Sequence, residues 1–272
     1  MSPAMLMFLR YTLSSLLMVA AVWVRGGAFP RGRELWRTAS YGILTIGVGT
    51  GSLAVSELWL PSGVAAMIVT TQPFWMVGTE AWLSRGRLHW PSIGGMLIGL
   101  AGVLVLFWPT VFEGESTGLR RGDLLAGFAV LQIGALAWSL GSIQQRNLRS
   151  GVHPFVSGAV QQIATAIVFA IPALAGPSPE QWSGRGLGAV VYLAVFGGVI
   201  GYSCYIYAMY HLPVALVSIY TYVNPIVAVL LGWLFYREPF GWRQASAMLV
   251  IFAGVTVVKR ASVPLRRPAA AE

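Results

Sequence analysis

The chain has 272 residues, 56% of them hydrophobic and only 10% charged, with a mean hydropathy of +0.70; a soluble globular domain carries about 25% charged residues, so the composition excludes one. The net charge is +9, but the 18 basic residues fall in short clusters between apolar runs, not in a stripe interleaved with aromatics, which argues against nucleic acid as a partner. The single cysteine, Cys204, lies inside an apolar run and excludes a disulfide framework or a thiolate metal site.

Apolar segments follow one another at about 3–24, 37–57, 62–84, 90–109, 122–145, 154–175, 187–210, 213–236 and 242–259. Each is long enough, as a helix rising 1.5 Å per residue, to cross a hydrocarbon layer about 30 Å thick. The expected fold class is therefore an all-α membrane protein with nine transmembrane helices, and the loops between them are too short to hold a soluble domain.

The first segment carries Arg10 where a signal sequence would be uncharged, so it is not a cleavable signal. Helix rise puts Arg10 about 10 Å below the membrane face, and an ionisable group at that depth is a functional candidate. In the third segment Gln72 and Pro73 stand at mid-span, and Glu80 follows five residues before Arg85. Glu80 either pairs or snorkels at the inner face, or faces a cavity as the candidate for proton coupling. The glycines of "GGMLIGLAG" (94–102) and "GGVIG" (197–201) suit close helix packing and carry no ligand role.

In the fifth segment Gln132, Ala135, Ser139 and Ser142 share one helical face beside Trp138. Tyr202 and Tyr205 lie one turn apart in the seventh, and Tyr220 one turn before Asn224 in the eighth. Aromatic walls with a few convergent polar groups make a small-molecule site; the same residue types also serve as interhelical packing and hydrogen-bond partners. His89, His153 and His211 stand at span ends, too dispersed for a metal cluster, and no cofactor is expected.

Basic loop residues stay on the cytoplasmic side. One side holds Arg25, Arg31, Arg33, Arg37, Arg85, Arg87, Arg146, Arg149, Lys259, Arg260, Arg266 and Arg267; the other holds Arg120, Arg121, Arg185, Arg237 and Arg243. The C-terminus is expected inside.

Set against itself with an offset of 152 residues, "LPSGVAAMIVTTQPFWMVGTEAWLSRGRLHWPSIGGMLIGLAGVLV" aligns with "LPVALVSIYTYVNPIVAVLLGWLFYREPFGWRQASAMLVIFAGVTV" without gaps. Twelve of 46 positions are identical, among them Pro73/Pro225, Trp90/Trp242 and Gly102/Gly254; apolar bias alone would match roughly a tenth. Five crossings separate matched spans, so mates run in opposite directions, as in the inverted repeats of secondary transporters. The mate of the span at 122–145 would fall before Met1, and the pattern is expected to lack its first helix. Pro225 cannot bond the carbonyl of Thr221, nor Pro73 that of Val69, so a pair of mid-span breaks, each preceded by an amide (Asn224, Gln72), is expected around a polar cavity.

"SPAMLMFLRYTLSSLLMV", with Pro3 followed seven residues later by Arg10, resembles the second helix of the drug/metabolite transporter superfamily, EamA type. "LPVALVSIYTYVNPIVAVLLGWLFYREPFGWRQASAMLVIFAGV" resembles its ninth and tenth helices, with Pro225, Glu238 and Gly254. The resemblance covers nearly the whole chain and implies two inverted five-helix halves around a central cavity, of which this chain keeps nine helices: residues 1–109, residues 122–259 and a basic tail, 260–272. Two positions depart from the family pattern: Gly86 stands where a loop glutamate is expected, and Gln161 where an arginine should follow Pro154.

The resulting expectation is a transporter or facilitator, not an enzyme, that exports an amino acid, amphipathic metabolite or drug by alternating access. Its cavity is assigned to Arg10, Gln72, Pro73, Gln132, Trp138, Ser139, Ser142, Tyr202, Tyr205, Tyr220, Asn224 and Pro225. A membrane scaffold or assembly partner is one rival class; an intramembrane enzyme, which would need paired acids or an acid and a histidine at one depth, is the other. The expected partners are the small-molecule solute, the lipid bilayer of the inner membrane and, as a further candidate, a second copy of the chain.

Overall fold

The computed structural model describes residues 2–108, 121–148, 152–176, 183–236 and 241–262. Arg120, Arg149, Arg237, Glu238, Arg266 and Arg267, most of the 110–122 and 176–186 loops, and the tail from 263 lie outside the described residues. All regular structure among the described residues is helical.

Helix α1 (Pro3–Val24) begins at Ser2, whose Oγ accepts from the Met5 N–H at 3.3 Å, with Pro3 in the first turn where its missing N–H costs nothing. Helix α8 (Pro154–Ala175) begins alike: Nδ1 of His153 accepts from the Phe155 N–H at 3.2 Å, ahead of another first-turn proline.

The second and seventh segments are each built in three parts. Helix α2 (Gly32–Gly42) runs into a π-helical stretch, π1 (Ile43–Thr50), and then α3 (Gly51–Ser56). Helix α9 (Gly184–Tyr192) runs into π2 (Leu193–Gly201) and then α10 (Tyr202–His211). Hydropathy does not reveal these π turns, because widening a helix leaves its apolar content unchanged. The glycines within them admit neighbours closely: a Cβ on Gly49 would meet the Trp138 side chain at 3.0 Å, and one on Gly198 would meet Ser14 Cβ at 2.6 Å. Stretches of this kind concentrate at functional sites.

The third segment divides at Thr70–Thr71 into α4 (Ser62–Val69) and α5 (Gln72–Ser84), and the eighth divides at Ile219 into α11 (Val214–Ser218) and α12 (Tyr220–Tyr236). The breaks are real, but their positions correct the expectation. Pro73 sits in the first turn of α5, just after its break. Pro225 lies inside α12, six residues beyond the break at Ile219. A first-turn proline needs no N–H partner, whereas one in the interior leaves an open carbonyl without interrupting the whole helix. Helices α6 (Trp90–Trp108), α7 (Arg121–Asn147) and α13 (Trp242–Ser262) complete the set.

Element starts recur at Pro3 and Pro154, Gly32 and Gly184, Ile43 and Leu193, Ser62 and Val214, and Trp90 and Trp242. The duplication visible over 46 residues therefore extends through the π stretches to α1 and α8. Mates also run antiparallel. On α6 and α13, Gly95 faces Val258 and Gly254, Gly99 faces Gly254, and Gly102 faces Ile251 and Ala247, so one helix ascends as the other descends. On α1 and α8, Ser14 meets Gln162 and Met18 meets Gly158 in the same opposed sense.

By contacts the chain forms two compact units, one of Met1–Ile68 with Gly118–Leu212, the other of Val69–Thr117 with Pro213–Glu272. Each draws on both sequence halves, because mate helices pair with each other. The first unit centres on Met7, Tyr11, Ile46, Ala54, Ala166, Tyr202 and Ile206, with Trp138, Phe169, Tyr205 and Tyr210 packed against them. In the second, fully buried Tyr222 lies on Gly99 and donates to the Met96 carbonyl at 3.0 Å.

The first unit is polar within and apolar without. Ser14, Ser157, Gln161, Gln162 and Thr165 are buried, while Leu16, Ile167, Ile171, Leu174 and Phe196 are exposed. That inversion suits a lipid solvent, in which polar groups must be satisfied internally. Exposed tryptophans at helix ends, Trp23, Trp90, Trp108 and Trp242, match an interfacial aromatic belt.

Candidate functional site

The candidate site lies in the first unit, where α7, α8 and α10 meet π1. Trp138 on α7 donates its indole N–H to the Tyr205 hydroxyl at 2.7 Å, and that hydroxyl donates to Ser142 Oγ at 2.8 Å. The Trp138 and Tyr205 rings are 5.2 Å apart at 57°, and Tyr202 stacks on Tyr205 with centroids 6.1 Å apart.

A second chain of hydrogen bonds ties the same helices. The Tyr202 hydroxyl donates to Gln161 Oε1 at 2.5 Å, and Gln161 Nε2 donates to Gln145 Oε1 at 3.0 Å. Gln145 Nε2 donates to the Tyr210 hydroxyl at 2.9 Å, which in turn donates to the Gln145 carbonyl at 3.2 Å. The aromatic and amide groups of the site are held by one another. Preorganisation of this kind limits the entropy lost when a ligand binds.

Of these groups Ser142, Gln145, Gln161, Tyr202, Tyr205 and Tyr210 line a recess together with Thr45, Arg146, Ile206 and Met209; Trp138 is joined to it through Tyr205. The recess has about 10 Å³ of room, space for a single water. The space between its lining atoms, open solvent included, is about 240 Å³. Thr45 is 1% exposed, and its hydroxyl has no hydrogen-bond partner.

Of the residues expected at a cavity, the structure thus brings Trp138, Ser142, Tyr202 and Tyr205 together. Ser139 is fully buried, and its hydroxyl donates to the Ala135 carbonyl of its own helix at 2.7 Å; Gln132 is half-buried on the same helix. Arg10 is not among the residues lining the recess. Its guanidinium carbon lies 5.1 Å from the Tyr11 ring centroid, its Nε is buried without a hydrogen-bond partner, and a Cβ on Gly197 would meet its Nη2 at 2.8 Å.

Gln72, Pro73, Glu80, Tyr220, Asn224 and Pro225 belong to the second unit. There Gln72 and Pro73 are buried, Glu80 and Tyr220 are half-buried, Pro225 is buried and Asn224 is exposed, so the two amides occupy different surroundings.

Thr45, Gln145, Gln161 and Tyr210 escape the sequence reading as site residues. The legible signal is a pair of adjacent amides in each of two apolar segments, Gln144–Gln145 and Gln161–Gln162. Gln162 secures the other side of α8: it accepts from Ser14 and donates to the Gly198 carbonyl at 2.9 Å and to Met18 Sδ at 3.1 Å.

Antiparallel mate helices, an apolar exterior and an aromatic recess among internal amides define a polytopic membrane protein. The chain belongs to the EamA-like transporter family, whose model matches residues 1–108 and 125–260. It is 33% identical over 261 residues to the Escherichia coli K12 protein described as the uncharacterized inner membrane transporter YedA, covering 94% of this chain and 81% of that protein. An Archaeoglobus fulgidus protein described as an uncharacterized transporter is 22% identical over 265 residues, covering 96% of this chain and 90% of its own. A solved crystal structure superposes with a TM-score of 0.81 at 24% identity, over 96% of this chain and 88% of that one, and shows the fold. The protein is a multi-pass membrane transporter.

Proposed function

We propose that the chain is a secondary transporter or facilitator of the inner membrane that exports a small organic solute by alternating access, with its C-terminus in the cytoplasm. Residues 1–109 and 122–259 are the two inverted halves of the machine, and 260–272 is a basic cytoplasmic tail. The observation that carries this reading is the recess lined by Ser142, Tyr202, Tyr205 and Tyr210, with Trp138 bonded to Tyr205: it offers aromatic faces and a few polar groups, as small-molecule sites do. Amino acids, amphipathic metabolites and drugs fit such a lining better than phosphates, which call for clustered cations. The YedA name supports an inner-membrane location.

Proteoliposomes holding the full chain are expected to exchange radiolabelled amino acids or an amphipathic drug in counterflow, and Tyr205→Ala should reduce the initial rate about tenfold or more by removing a wall and the centre of the Trp138–Ser142 chain. If no solute of these classes exchanges while the protein remains folded, a scaffold role replaces transport.

We assign proton coupling to Glu80, half-buried on α5. Glu80→Gln should abolish uptake driven by a pH gradient and leave exchange intact. An unchanged response to the gradient removes Glu80 from that role.

A further inference from the structure

The corner where α1 passes into α2 carries a basic and aromatic patch that the recess does not use. Residues 25–37 hold Arg25, Arg31, Arg33 and Arg37 against one carboxylate, Glu34. All four arginines are exposed, and none is paired with a carboxylate among the described residues. Arg33, Trp36 and Arg37 stand at i, i+3 and i+4 on α2 and share one face, whereas Glu34 is half-buried on the side of buried Thr38. Trp36 is 76% exposed and Trp23, in the last turn of α1, is 81% exposed, so neither ring is packed into the protein.

The corner is pinned. Beyond α1 the chain turns at Gly26, φ +66°, whose N–H donates to the Trp23 carbonyl at 3.0 Å, and the Gly27 N–H donates to the Val22 carbonyl at 2.9 Å. Pro30 is buried, and a second left-handed glycine, Gly32 at φ +56°, opens α2. The fold itself does not require the charges. Helix α9, the mate of α2, starts at Gly184 and keeps Arg185 in the place of Arg33, but it has Ser183, Gly188 and Ala189 where α2 has Arg31, Trp36 and Arg37.

We infer that Arg31, Arg33 and Arg37, with Trp36, bind the headgroups of anionic phospholipids at this corner. Tryptophan settles at the level of the headgroups, and the arginine fork matches the oxygens of a phosphate. Three uncompensated cations select a lipid of net negative charge, because a zwitterionic headgroup sets its own cation beside the phosphate. The patch lies at the end of α1, a helix long and apolar enough to span the membrane, so lipid phosphates are the anions it meets. It is separate from the recess and does not depend on what solute the recess takes.

The test is titration of the full chain in dodecyl maltoside with dioleoylphosphatidylglycerol, dioleoylphosphatidylcholine or inorganic phosphate, followed by the thermal unfolding midpoint. A ligand that binds only the folded state raises the midpoint, and phosphatidylglycerol is expected to do so saturably, at about tenfold lower concentration than either other probe. Arg33→Gln should raise the concentration of phosphatidylglycerol for half the effect about fivefold, and the triple variant with Arg31→Gln and Arg37→Gln on the order of a hundredfold. Lys259→Gln with Arg260→Gln, in the last turn of α13, should leave it unchanged. A flat midpoint, equal effects of the two lipids, or an effect that survives the triple variant overturns the inference. So does an equal effect of inorganic phosphate, which would give the patch to a free anion, and so does an equal loss in the α13 variant, which would make the effect one of net charge. If the triple variant does not fold, Arg33→Gln decides, and an unchanged half-point there overturns the inference.

Discussion

Gly254→Ala should lower the thermal unfolding midpoint of the protein in detergent, while Gly94→Ala, on a mate helix of the same crossing, should not. A Cβ at Gly254 would stand 2.5 Å from the Gly99 nitrogen, 2.6 Å from the Gly95 carbonyl oxygen and 2.8 Å from the Gly99 Cα. All three are backbone atoms, so no rotamer change can relieve the contact and α6 and α13 must separate. Overpacking of this kind costs about 1–3 kcal/mol, and association in lipid depends on close packing because the hydrophobic effect does not drive it. A Cβ at Gly94 meets nothing within 4 Å. Equal midpoints for the two variants would show that the helices do not cross at these glycines.

The crossing is also its own control. A Cβ at Gly102, the mate of Gly254, would stand 2.7 Å from Ile251 Cγ1, 2.9 Å from the Ile251 nitrogen and 3.0 Å from the Ala247 carbonyl oxygen, on residues equivalent to Gly99 and Gly95. Gly102→Ala is therefore expected to destabilise in the same sense and by less, since its gaps are wider.

Gln161→Leu carries the second large effect. The amide is 1% exposed and joins α8 to α7 and α10 by accepting from Tyr202 and donating to Gln145. Leucine fills similar space and leaves the Tyr202 hydroxyl and Gln145 Oε1 without these partners. An unmet buried polar group costs about 1–3 kcal/mol, and the loss here is expected to be about 2 kcal/mol. A thermal or denaturant series on Gln161→Leu, Tyr202→Phe and the double variant reads the coupling, expected at about 1 kcal/mol. Strict additivity would show that the bond does not hold the helices. Solute counterflow should fall in Gln161→Leu as well, because Tyr202 then loses the partner that orients it toward the recess.

The π stretches show why the site is local to a particular packing. A Cβ at Gly42, just before π1, would fall 2.4 Å from Gln161 Cβ, so the amide reaches its partners only because α2 approaches α8 at a glycine. Thr45 follows within π1 and lines the recess, its hydroxyl lying against Gly141 of α7.

Much of this was legible from residues alone. Composition and the spacing of apolar runs determined a helical membrane protein with nine segments, because each run must be long enough to cross the hydrocarbon and because hydropathy sums locally along the chain. The offset of 152 residues, with Pro73 on Pro225 and Trp90 on Trp242, determined that the two halves correspond. Trp138, Ser142, Tyr202 and Tyr205 were visible as polar or aromatic groups sharing helical faces.

Other features were decided only by the tertiary structure. Antiparallel pairing of α1 with α8 and α6 with α13 brought mates into the same compact unit, so these units follow contact and not chain order. The breaks at Thr70–Thr71 and Ile219 fell where backbone groups could be accommodated, not at the prolines as such. Gln145 and Gln161 became a site because their amides meet across α7 and α8, and Thr45 because π1 turns it inward. Sequence records which groups a helix carries and on which face. Which groups share a recess, and which of their donors and acceptors remain to meet a solute, depends on distances between segments that no single segment encodes.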